Sequence, residues 1–168
     1  PRFGYNKSHE YYNSVCKFAK GDWIFLWNDD AIMKTKNWDL EVEKFNNHDS
    51  IICLNPGVLC NGKKTNPDTQ LQFPIVAIDW INQTGNFSTD YQLDSHVMFV
   101  ARELSAKIKL PVIGHIPEIC IEHAQGRVKD KTWCESRNSI RGGKSKFGSR
   151  ESRAKRSEKV LKLEKFIL

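Results

Sequence analysis

No run of 18 apolar residues occurs in the 168-residue chain, which excludes a transmembrane helix from the reading. No basic segment followed by an apolar stretch opens it, so no signal peptide is expected. The chain begins on Pro1 rather than Met, and the expectation is that the true N-terminus lies upstream. Paired cysteines are also lacking: Cys16, Cys53, Cys60, Cys120 and Cys134 form no C-x-x-C pair, and their number is odd. That spacing argues against a zinc site built from cysteine pairs. The five are read as free thiols in a reducing compartment, and the expected location is cytoplasmic. Internal repeats are absent as well. What is present is 39% apolar and 11% aromatic residues, enough for a real core in one domain or a little more.

The net charge of +6 is unevenly placed. Residues 141–168 carry ten Lys/Arg against three Glu, or +7, which leaves −1 for residues 1–140. The basic character therefore belongs to the tail. The stretch 142–158 is poor in apolar residues and reads as exposed or partly disordered. "KVLKLEKFIL", 159–168, reads as a short terminal amphipathic helix.

Along the body, 5–20 reads as a helix with Tyr12, Val15, Cys16 and Ala19 on one face, stopped by Gly21. "DWIFLW" is too short for a helix and rich in strand formers, so it is expected to be a buried, central strand. A short helix is expected around 37–48. A second buried strand follows in "SIICLNPGVL", expected to end in its Asn-Pro-Gly turn. A polar loop covers 61–70, and the mixed segment 73–87 turns at Gly85-Asn86. "DSHVMFVARELSAKI" is a helix with Val97, Val100, Leu104 and Ile108 along one side. "IPEICIEH" is a strand stopping on His123. Another helix is expected from Thr132, which has the capping-box spacing to Glu135. Alternating helices and strands indicate an α/β domain.

The chemistry starts at Asn28-Asp29-Asp30, at the end of the first strand. In open α/β sheets ligands bind beyond the carboxyl ends of the strands. Two adjacent carboxylates there repel each other unless a cation or donor compensates them. A divalent ion such as Mg²⁺ or Mn²⁺, carrying substrate phosphates, would do so. The competing reading is that Asp29 and Asp30 cap the next element.

"AKGDWIFLWNDDAIMKTKNWD" resembles the middle of a family-2-type nucleotide-sugar glycosyltransferase of the GT-A fold. Ala19, Gly21, Asp22 and Ile24 match the approach to the metal strand. Asn28 stands in the place of the first acid of a D-x-D-type motif, Asp30 in that of the last, and Trp38 at the Trp that often follows. The resemblance implies a Rossmann-like mixed sheet flanked by helices, lacking its N-terminal third, over residues 1–140. It implies Asp30 as a ligand of Mn²⁺ or Mg²⁺, with Asp29 helping at the metal or the ribose. In "FPIVAIDWINQTGNFSTDYQLDSHVMFVA", Gly85 and Phe87 match a turn of the acceptor region and Asp94 the general base, with Asp90 as its substitute. Asp94 equally suits an N-cap. His123 matches a further metal ligand at a late strand end, against the commoner structural histidine. Gly126, Arg127, Asp130 and Thr132 extend that block, and Arg127 and Lys129 would face the departing diphosphate. Trp80 and Trp27 would offer aromatic surface to a sugar.

The expected function is thus metal-dependent, inverting transfer of a sugar from a nucleotide-sugar donor to a hydroxyl on a glycan, lipid-linked or protein acceptor. No obligate protein partner is inferred. The alternatives are nucleic-acid binding through the basic tail and nucleotidyl transfer. An anionic membrane surface could also meet residues 141–168.

Overall fold

The computed structural model describes residues 7–46, 48, 50–60, 62–66, 71–123 and 149–168. Five helices occur among them: α1 (Ser8–Cys16), α2 (Trp38–Glu43), α3 (Ile78–Thr84), α4 (Leu93–Ile108) and α5 (Arg150–Ile167). Six strands form one mixed sheet: β1 (Trp23–Phe25), β2 (Ala31–Met33), β3 (Cys53–Cys60), β4 (Lys63–Lys64), β5 (Ile75–Ala77) and β6 (Ile113–His123). The order is β1-β5-β3-β6-β2, with β4 folded back on β3. Only β3 and β6 run parallel; the other neighbours are antiparallel.

Adjacent residues on a strand go to opposite faces, because side chains alternate across the pleat. Cys53 and Val76 join an apolar cluster with Trp80, Val97, Leu104 and Leu163, under α3, α4 and α5. Their neighbours Leu54 and Ile75 join another with Val42, Phe73, Ile119 and Ile121, against α2. The sheet therefore lies between helices, as an α/β reading requires.

Several expectations are corrected. "DWIFLW" forms a three-residue strand at one end of the sheet order, not a central one, and its three residues are only half-buried. Its large rings pack sideways instead: Phe25 meets Trp27 and Trp38 edge-on. Asn55-Pro56-Gly57 is no turn; β3 runs straight through it. The parallel register jumps there, from Pro56↔Ile116 to Gly57↔Cys120, so β6 bulges. A side chain at Gly57 would have its Cβ 2.8 Å from the Ile119 carbonyl oxygen, so this close approach needs glycine. On α1, Val15 is exposed and Cys16 alone is buried. Gly85 takes φ 77° as the C-cap of α3, a left-handed conformation in which a Cβ is strained.

The largest departure is at the C-terminus. The helix there is 18 residues long rather than a short terminal one, and it packs on α3 and α4. Ser149 caps it by accepting from the Ser152 amide. Ser152, Arg156, Lys159, Val160 and Leu163 form its buried face. The helix expected from Thr132 lies outside the described residues.

Candidate functional site

Chain geometry assembles the site at one end of β6. Asn28 accepts from the Ala31 amide at 3.3 Å, closing a tight turn that carries Asp29 and Asp30. β2 then pairs antiparallel with β6, with Ala31 opposite His123. The exit of β2 is pinned by Thr35, whose hydroxyl donates to Glu118 O and accepts from the Cys120 amide. Tyr12 of α1 steadies the approach by donating its hydroxyl to Trp27 O at 2.6 Å.

Asp30 and His123, 93 positions apart, meet: Asp30 Oδ2 lies 3.0 Å from His123 Nε2. The His123 ring is nearly buried, while the Asp30 side chain is 46% exposed. Phe73, fully buried, stands edge-on to the imidazole at 5.0 Å. On the far side of the ring, Gln72 Oε1 is 3.3 Å from Nδ1 and Cys60 Sγ is 4.0 Å from it. The ring is thus held on three sides.

A 3.0 Å separation suits a hydrogen bond. It also equals the cis edge, about 3.0 Å, of an octahedron whose ligands stand about 2.1 Å from the ion. By distance alone the pair could supply two cis ligands to a hard divalent cation, with the remaining positions left to water and phosphate oxygens. Among the described residues no group of three or more His, Cys, Asp or Glu surrounds one point, so such an ion would rest on few protein charges. Asp29 is exposed beside the pair.

Asp94 sits in the first turn of α4, one residue inside the helix rather than at its N-cap, which is Gln92. Its Oδ1 accepts from the Ser95 amide at 2.7 Å. Burial pushes its carboxyl above the usual carboxylate range, against the pull of the Ser95 bonds and the His123 charge. His123 is thus among the groups whose field reaches Asp94.

Two expected roles fail on burial. Trp80 is fully buried and cannot face a sugar. Its indole donates to Phe87 O at 3.0 Å, and the Lys159 ammonium lies 5.3 Å from its ring centroid. Asp90 is 6% exposed, with Oδ1 accepting from the Gln92 amide and Oδ2 from the Ser152 hydroxyl. It secures α5 and the 85–92 segment rather than offering a free base. Arg127 and Lys129 lie outside the described residues.

Lys159, only 3% exposed, donates to Asn86 O and Phe87 O at 2.8 and 3.1 Å. Burial lowers its pKa to about 7. Beside it His96 is wholly buried, neither ring nitrogen has a hydrogen-bond partner among the described residues, and its pKa falls to about 2.

Comparison with family models, with curated proteins and with solved structures returned no match. No helix among the described residues is long and apolar enough to cross a membrane.

Proposed function

We propose that the chain is a metal-assisted glycosyltransferase of the GT-A kind, moving a sugar from a nucleotide donor to an acceptor hydroxyl with inversion. The observation that carries this reading is the 3.0 Å approach of Asp30 to His123 across 93 residues, at the end of a strand that follows an exposed carboxylate pair. When bound there, a divalent cation would supply Lewis-acid stabilisation of the leaving diphosphate. Asp30 and His123 would hold it and orient the two phosphates. Asp29 would remain at the rim, toward the nucleotide ribose, and Asn28 would shape the turn that presents both acids. Asp94 would take the acceptor proton as the hydroxyl attacks the anomeric carbon. Its carboxyl, raised by burial toward the working pH, suits a base better than an ordinary surface aspartate.

The nucleic-acid reading is weaker. On α5, Lys155 and Lys162 pair with Glu151 and Glu158 one turn away, and Arg156 and Lys159 are turned inward. Much of that helix's positive charge is therefore unavailable to phosphates. Nucleotidyl transfer is separated from sugar transfer by its product, pyrophosphate rather than a nucleoside diphosphate.

The test is sugar-nucleotide turnover with Mn²⁺, using a panel of donors with and without acceptor. Asp30→Asn and His123→Ala should each abolish metal-dependent release of the nucleoside diphosphate while the circular dichroism spectrum is kept. Turnover unchanged in both variants refutes the assignment.

A further inference from the structure

The imidazole of His123 has two sides, and the glycosyltransferase reading uses only one. On the other, three donor atoms of different elements converge. Cys60 Sγ is 3.2 Å from Gln72 Oε1, Gln72 Oε1 is 3.3 Å from His123 Nδ1, and His123 Nδ1 is 4.0 Å from Cys60 Sγ. Tetrahedral zinc with sulfur, nitrogen and oxygen ligands sets its donors about 3.4–3.6 Å apart, from bond lengths near 2.3 Å to sulfur and about 2.0–2.2 Å to the others. The observed sides of 3.2, 3.3 and 4.0 Å bracket that range, so closing on an ion moves Cys60 Sγ a few tenths of an ångström toward Nδ1 and away from Gln72 Oε1. Its geometry is inherited from the sheet: Cys60 and His123 are register partners at the end of the β3–β6 ladder.

The opposite ring nitrogen adds an independent observation. Histidines that bind a metal through one nitrogen commonly donate the other N–H to a carboxylate, which fixes tautomer and orientation. Here Nε2 faces Asp30 Oδ2 at 3.0 Å, and Phe73 holds the ring edge-on. We propose that Cys60 Sγ, His123 Nδ1 and Gln72 Oε1 form a binding site for a thiophilic divalent ion such as Zn²⁺, with Asp30 steadying the imidazole from behind. The set lacks paired cysteines, so it escapes a search for C-x-x-C spacing. It also falls short of three His, Cys or acidic side chains, because its third donor is an amide.

Binding releases the Cys60 thiol proton to solvent and transfers no electrons. A water or another small ligand completes the tetrahedron. Loading this side keeps the Nε2 proton on its bond to Asp30. Zn²⁺ therefore competes with a hard ion that needs Nε2 as a ligand.

The experiment titrates the full chain, under reducing conditions, with Co²⁺ as a spectroscopic stand-in. One equivalent should give tetrahedral cobalt bands and a near-ultraviolet thiolate-to-metal charge-transfer band, both displaced by Zn²⁺. Cys60→Ser and Cys60→Ala should lose the charge-transfer band and at least tenfold in affinity. Cys120→Ser and Cys134→Ser should keep both. Asp30→Asn should keep the band while weakening binding about tenfold, the usual effect of losing such a support. A wild-type chain without the thiolate band overturns the proposal, as does a band surviving in both Cys60 variants. The readout is metal binding alone, so it stands or falls separately from sugar transfer.

Discussion

His96→Leu tests the account of the helical layer quantitatively. His96 lies on α4, is 0% exposed, and neither ring nitrogen has a hydrogen-bond partner among the described residues. The groups facing it are cationic or basic: Lys159 and Arg156 from α5 and His9 from α1. Burial first, and these charges second, lower its pKa from 6.5 to about 2. The folded chain thus binds fewer protons at this residue than the unfolded chain between those two values. Stability must then fall as pH drops through that window. Each pH unit below 6.5 costs about 1.4 kcal/mol, so acidification from pH 7.5 to pH 4.5 removes roughly 3 kcal/mol through His96 alone. Leucine cannot titrate and brings no unpaired nitrogen into the core. An unpaired buried polar group costs about 1–3 kcal/mol, so the variant should be at least as stable as the wild type at pH 7.5. Urea unfolding at several pH values measures both. The acid limb of the stability curve should be shallower in the variant by the stated amount; contributions from other carboxyls, such as Asp94, are common to both chains and cancel in the difference. Parallel acid limbs would refute the idea that this imidazole is sealed and unpartnered.

Lys159→Met should flatten a rise in stability between pH 7 and pH 10.5, because the folded lysine, at about 7, sheds its proton before the unfolded one does; a rise of equal size in the variant would contradict this. Gly57→Ala forces a Cβ against the Ile119 and Pro117 carbonyl oxygens and should cost about 1–3 kcal/mol in chemical denaturation; an unmoved midpoint would mean that the bulge yields freely. Asp94→Asn should reduce turnover 10²–10⁴-fold, the usual range for a lost general base. The wild-type rate should fall in acid at a pH above the ordinary carboxylate range, and a profile without that limb would separate Asp94 from the chemistry.

Half of the strands were legible in the sequence: β3 and the later part of β6 followed their strand-forming apolar residues, and α4 followed the spacing of Val97, Val100 and Leu104, whereas β2, β4 and β5 are too short to show a pattern. β1 misled because it sits at the end of the sheet order, where Phe25 packs edgewise on Trp38 of α2 and the Trp23 indole donates to Asn46 rather than being enclosed. Pro56 looked like a turn signal, yet the bulge beside it accommodates a residue without an N–H. The terminal helix hid for another reason: Ser152, Arg156 and Lys159 occupy inward positions that a search for apolar periodicity skips. In the site, Asp30 and His123 were legible from chemical type and their places at strand ends. Cys60 and Gln72 were not, since parallel pairing over 63 residues leaves no local pattern. Asp90 and Trp80 were plausible by type and excluded only by burial.

The pairing of His123 with both Ala31 and Cys60 makes three distant segments neighbours on a single rung. Chain length between the rungs is therefore a weak constraint, whereas length within the Asn28–Ala31 turn is a strict one. Residues inserted between α2 and β3 would leave that end of the sheet as it is. One residue removed between Trp27 and Ala31 would swing the carboxylates away from the imidazole, because each step along a strand reverses the face a side chain occupies.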